Sequence, residues 1–115
     1  MSVDITELQS AIVTDLTDEL SGEPTFSATA LNKKVKLAIL DVMSRRNYEY
    51  SNYSDKQIED DLTLHYYATI TNLARFDYNQ IGAEGQTKHD ENSVSRTWAD
   101  RDSLLRNVHA FVKVF

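Results

Sequence analysis

The chain has 115 residues, 41% hydrophobic and 26% charged, a size and balance that fit one domain able to bury roughly two-thirds of its unfolded surface. The absence of cysteine excludes a disulfide scaffold, a thiolate nucleophile and any Cys-based zinc or iron–sulfur site. A formal net charge of −6 and a pI near 4.9 argue against a protein that grips nucleic acid by its phosphates, which needs clustered Lys and Arg.

The N-terminus reads MSVDITELQ, acidic from Asp4, without the basic and apolar regions of a signal peptide. No apolar run approaches the roughly 20 residues that span a bilayer. The expected location is therefore the cytoplasm, unless the chain leaves by another route such as a virion. One proline and three glycines leave long stretches free for helix.

The first helix is expected over about 5–20. Asp4 is placed to accept from its first N–H groups, with Glu7 in the reciprocal capping-box position. Ile5, Leu8, Ile12, Leu16 and Leu20 form one apolar stripe. Ser21-Gly22-Glu23-Pro24 ends the helix, with Gly22 suited to a left-handed turn and Pro24 forbidding continuation. The second helix, about 28–46, is capped by Ser27, and Phe26 and Leu31 are spaced as a hydrophobic staple. Leu31, Val35, Ala38 and Val42 face inward. Leu37 and Leu40 widen that stripe, which predicts burial from more than one side. The pattern fades in Arg45-Arg46-Asn47, where cations suit the carbonyl end of the helix.

Charge is segregated between these two helices. Residues 1–20 hold Asp4, Glu7, Asp15, Asp18 and Glu19 and no basic residue, whereas 31–46 hold Lys33, Lys34, Lys36, Arg45 and Arg46 against Asp41 alone. Two readings are open. The helices pair with each other inside one molecule, or the acidic face of one subunit meets the basic face of the next.

A third helix is expected over about 55–80, capped by Ser54 with Gln57 completing the box and Tyr53 stapled onto Ile58. Ile58, Leu62, Tyr66, Ile70 and Leu73 carry its core stripe towards Tyr78 and Ile81. A continuous helix of that length spans roughly 39 Å. Tyr48, Tyr50 and Tyr53 precede it and read as aromatics sealing a helical corner.

The segment Gly82–Trp98, GAEGQTKHDENSVSRTW, is the strongest departure from helical pattern. Gly82 and Gly85 give backbone freedom, and Ser93–Trp98 alternates small polar residues with Val94, Arg96 and Trp98, a period that suits a strand or hairpin arm. Long unstructured loops are rare in compact domains unless they work. A brief helix at about 102–109 follows, with Leu104, Leu105 and Val108 inward, and then the apolar, β-prone tail Phe111-Val112-Lys113-Val114-Phe115. The expected fold class is mostly α: a three-helix body plus a short C-terminal helix, with an extended loop or β-hairpin protrusion between the last two helices.

No catalytic constellation emerges. His65, His89 and His109 share no ligand spacing; Asp61/His65 is an isolated helix pair, and His89-Asp90-Glu91 suits a turn better than a metal. Glu59-Asp60-Asp61 lacks the spacing of a calcium loop, and no serine stands in a nucleophile elbow. The expectation is a non-enzyme with no metal and no cofactor.

The stretches Gly82-Ala83-Glu84-Gly85-Gln86-Thr87 and Glu91–Trp98, followed by Leu104-Leu105 and a short apolar tail, resemble tailed-phage head–tail connector proteins, also called head-completion adaptors or DNA-packaging proteins. In that family a helical body leads to a G-x-E-G stretch, a polar loop with an E-N-G turn, an aromatic and a terminal helix. Two positions depart from the pattern: Ser93 stands where the turn glycine is expected, and His109-Ala110 where a proline is expected. The resemblance covers about 81–115; over 1–80 it rests on helix number, length and order.

Membership would imply a structural virion protein, a homo-oligomeric ring of roughly a dozen subunits with heterologous contacts. The ring would dock beneath the portal protein and meet a downstream connector or tail-completion protein, with DNA passing through its channel without specific binding and no membrane involved. Such a protein would be found at the head–tail junction of the virion and in the host cytoplasm during assembly. The interface residues implied are Gly82, Glu84, Gly85, Val94, Arg96, Trp98, Phe111, Val112 and Phe115. Trp98 is either an anchor in a neighbour's groove or a core residue packing the hairpin on its own helix. The rival function is a small cytoplasmic helical adaptor or regulator that binds a protein partner through its apolar stripes. A nucleic-acid-binding module is disfavoured by charge.

Overall fold

The computed structural model describes residues 3–84 and 101–112, and the elements within them are helical with no strand. Helices α1 (Thr6–Leu20), α2 (Ala28–Arg46), α3 (Asp55–His65) and α4 (Tyr67–Glu84) follow in order, with a 3₁₀ turn at Tyr48–Tyr50 and a further helical turn at 101–104. The mostly-α expectation holds.

The starts of α2 and α3 are written locally, while that of α1 draws on a distant residue. Asp4 Oδ1 accepts from the Thr6 N–H at 2.9 Å, but from one position before the cap, which is Ile5 and makes no side-chain capping bond. Glu7 does not close the box: the Asp4 N–H donates to Glu59 Oε2 at 3.3 Å, so α3 supplies the second half from across the fold. Ser27 caps α2 by accepting from Ala30 N–H at 3.2 Å. Both halves of the α3 capping box are made, Ser54 Oγ accepting from Gln57 N–H and Gln57 Oε1 from Ser54 N–H. At the end of α2, Asn47 takes a left-handed conformation (φ 54°, ψ 52°), which Asn tolerates because its short polar side chain bonds locally.

The core is built on α2 and α4, with α1 laid across both. Leu31, Val35, Ala38, Ile39 and Val42 of α2 and Ile70, Leu73 and Ala74 of α4 are fully buried. Ala38 and Ala74 add little bulk to their helices and so suit close packing. Leu8, Ile12, Leu16 and Leu20 supply the α1 stripe, spaced as expected. Tyr78 fastens the start of α2: its Oη accepts from the Ser27 N–H at 3.0 Å, and its ring lies 6.1 Å from that of Phe26.

Several expectations are corrected. The third helix is not continuous but breaks at Tyr66 (φ −122°, ψ 6°) into α3 and α4. No proline or glycine causes the break. His65, Tyr66 and Tyr67 are three successive weak helix formers, and burial of the Tyr66 ring beside Arg46 decides the local geometry. At its far end α4 runs to Glu84, so Gly82 and Glu84 lie in helical backbone and not in the protrusion. The final helix is shorter than 102–109: residues 101–104 are helical and 105–107 form a turn closed by i→i+3 bonds. Leu105 is nonetheless buried, with Leu104 and Val108 against the core. Leu37 and Leu40 do not widen a buried stripe; they are 45% and 42% exposed.

Gly22 also differs from expectation, because it does not adopt a positive φ. The turn after α1 is made by ordinary bonds, Glu23 N–H to Leu20 O at 3.1 Å and Phe26 N–H to Glu23 O at 3.1 Å. A Cβ added at Gly22 would meet nothing within 4 Å. Gly22→Ala is therefore expected to stabilise the fold by about 0.4–1 kcal/mol through the unfolded chain, measured by urea denaturation. A loss of stability would instead indicate the left-handed turn.

Candidate functional site

Of the interface residues expected from sequence, Gly85, Val94, Arg96, Trp98 and Phe115 lie outside the described residues. After α4 the described chain resumes at Arg101, which is strongly fixed to the body. Arg101 Nε and Nη2 donate to the two oxygens of Asp77 on α4 at 3.0 and 3.1 Å, a bidentate pair, and Nη2 also donates to Asp41 on α2. Hydrogen bonding to Asp77 raises the guanidinium pKa; burial opposes this and Asp41 adds to it. Arg45–Asp102, at 3.5 Å between exposed side chains, contributes little by comparison.

The tail is held by a second arginine. Arg46 closes α2, and sequence alone offers it only as a dipole-matching cation. Its side chain turns inward, 10% exposed, against Asp61, 7% exposed, at 3.0 Å. Nε donates to the same carboxylate at 3.1 Å, and the Tyr48 hydroxyl donates to it as well. Nη1 donates to the His109 carbonyl at 2.6 Å, while the Arg46 carbonyl accepts from the Phe111 N–H at 2.7 Å. The Phe111 ring centroid stands 4.3 Å from the guanidinium carbon, and Tyr66 and Tyr48 stand at 5.1 and 5.5 Å. Tyr53 meets Phe111 edge-on at 5.1 Å. Burial, followed by donation to Asp61, pushes the Tyr48 phenol well above its usual range.

This cluster corrects two sequence readings. Asp61 is not half of an isolated helix pair with His65: it is buried and committed to Arg46 and Tyr48, while His65 is exposed. Phe111 is covered by its own chain, leaving Val112 (70% exposed) as the described tail residue open to a partner. Of the corner aromatics only Tyr48 is half-buried; Tyr50 and Tyr53 are exposed, although the Tyr53 ring meets those of Tyr48 and Phe111. One signal in the sequence could have revealed the pair. Asp61 falls between Ile58 and Leu62 at a buried register, where a carboxylate needs a cation.

A cleft of about 510 Å³ opens between the start of α1 and α3, lined by Asp4, Glu7, Glu59, Asp60 and Lys56 around Ile5, Leu8 and Leu62. The Thr6 N–H lowers the Asp4 pKa, and Lys56 pairs with Asp60. Among the described residues no group of three His, Asp or Glu is placed to hold a metal. No described helix is long and apolar enough to cross a membrane. The α1–α2 ion pairing allowed by sequence is absent among the described residues. The α1 carboxylates that find partners find them on α4: Glu19 with Arg75 at 2.7 Å, and Asp15 with the Tyr67 hydroxyl.

Comparison with protein-family models, curated proteins and solved structures finds no match to this chain.

Asp61→Ala leaves the buried Arg46 without its counter-charge and is expected to cost about 3–5 kcal/mol in urea unfolding, while Arg46→Met with Asp61→Leu should recover much of that loss. A single-variant cost below about 1 kcal/mol would show that the pair does not hold the tail. A second expectation concerns alkaline pH. Donation to Asp15 and some burial push the Tyr67 phenol up to about 12, against about 10 for an unperturbed tyrosine. The folded chain thus keeps a proton that the unfolded chain loses, so this contribution is complete below about pH 10 and lost as pH rises to about 12. In thermal melts, the Tm gap between wild type and Tyr67→Phe should shrink over that window; a constant gap would contradict it.

Proposed function

We propose that this chain is a non-enzymatic subunit of a tailed-phage head–tail connector, a ring beneath the portal that links the DNA-filled head to the tail. The observation that supports this most directly is the clasp of Arg101 on Asp77 and Asp41. It anchors the chain on α2 and α4 three residues after Trp98, and α4 ends at Glu84, so both described ends flanking the segment that carries much of the resemblance belong to the helical body.

In this reading Val94, Arg96 and Trp98 meet the portal or the neighbouring subunit, as does the tail from Val112 onward. Phe111 serves the fold. The net charge of −6 keeps the passing duplex from being gripped, since like charges repel in the channel. No cofactor or membrane takes part.

Capture by immobilised portal protein tests the reading. Trp98→Ala and removal of residues 112–115, which spares Phe111 and so the Arg46 cluster, should each reduce capture at least about tenfold, roughly 1.4 kcal/mol of binding. Undiminished capture by both variants, or none by the wild type, overturns the assignment.

A further inference from the structure

The outer faces of α1 and α2 carry matching patterns that the described residues of their own molecule leave unused. On α1, Glu7, Ala11, Thr14 and Asp18 recur at steps of four, three and four, opposite the buried stripe, and all are exposed. On α2, Lys33, Leu37, Leu40 and Ser44 recur at the same steps, all exposed, with Lys36 on the flank. Both stripes run about 16 Å along their helices. One is acid, small, small, acid; the other is basic at its start and bears two large apolar side chains at its centre.

Among the described residues, Glu7 and Asp18 make no ion pair, and neither do Lys33, Lys34 and Lys36. Other charges on the same helices are already used: Glu19 and Asp15 on α4, Asp41 on Arg101. The Thr14 hydroxyl donates to the Ser10 carbonyl at 2.9 Å, so its donor is already satisfied if the face is covered.

We infer that α2 of one copy docks its Leu37–Leu40 ridge on the Ala11–Thr14 face of α1 in a second copy, with Lys33 and Lys36 against the flanking carboxylates. Small residues opposite large ones allow close packing of the helices, and charge complementarity selects the pair. In either direction along the helix a carboxylate of α1 comes opposite Lys33. Because the two patches lie on different helices, each copy offers one of each. Lysines interrupted by two leucines, on a chain of net charge −6, suit an acidic protein face better than a phosphate backbone.

The contact is argued from surfaces alone and is tested on the purified chain without portal. It therefore stands or falls separately from the connector reading. Sedimentation velocity over a concentration series should show association by the wild type, weakened at least about tenfold between roughly 0.05 and 0.5 M salt. Lys33→Glu with Lys36→Glu, and separately Glu7→Lys with Asp18→Lys, should each abolish it while circular dichroism melts show folded protein. An equimolar mixture of these two variants should associate again, because each supplies the face the other lacks, as should one chain carrying all four changes. Leu37→Ser with Leu40→Ser should weaken association in every background. A wild type that stays monomeric across the series overturns the inference. So does association untouched by charge reversal, or binding to duplex DNA or anionic vesicles without self-association.

Discussion

One buried charge pair organises the C-terminal half of this molecule. Two ions taken out of water are stabilising only if each finds nearly all its partners. Arg46 reaches that condition by drawing on four parts of the chain: Asp61 from α3, Tyr48 from the 3₁₀ turn, the His109 carbonyl, and the faces of Phe111 and Tyr66. The constraints that follow are visible in the backbone. Tyr66 must bring its ring beside the guanidinium, and the helix breaks there. The backbone at 109 and 111 bonds to Arg46, so the last helix stops short and the tail crosses the end of α2. The same crossing provides a partner for a terminal carbonyl of α2 that no intrahelical N–H can satisfy.

Arg101 does the corresponding work at the other junction. A bidentate guanidinium–carboxylate pair fixes direction as well as distance, and its third bond, to Asp41, ties α2 to α4 at Arg101. Together the two arginines hold Arg101 and the backbone at 109 and 111 on the helical body, by electrostatic contacts laid over an apolar core.

How much of this was legible depends on the range of the interaction. Helix starts at Ser27 and Ser54, and the stripes of α1 and α2, depend on residues three or four apart, and the sequence pattern placed them correctly. The break at Tyr66, the role of Arg46 and the clasp of Arg101 depend on partners fifteen to more than sixty positions away, so no local window contains them. Gly22 and Leu37 failed for a different reason. A glycine permits a left-handed turn without requiring one, and an apolar residue at the edge of a stripe is buried only if something arrives to cover it. The resemblance to connector proteins covered about residues 81–115. Of its stretch 82–98 only Gly82 to Glu84 are described, and those are helical.

The segregation of charge between α1 and α2 links the fold to the self-association proposed above. Neighbouring helices of opposite sign could have neutralised each other across their shared seam. Among the described residues they form no ion pair: the buried residues are apolar, Leu8, Ile12 and Leu16 on α1 and Leu31, Val35 and Ile39 on α2, with Gln9 Nε2 donating to the Asn32 carbonyl at 3.5 Å between them. Glu7 and Asp18 on α1 and Lys33 and Lys36 on α2 stand on the outer faces, where solvent screens them and each exposed ion contributes almost nothing to the monomer. A pattern of sign that adds so little to folding is more informative about what approaches from outside. Two leucines held half-exposed in the middle of the basic face point the same way, because apolar area left in water is recovered only when a second surface covers it.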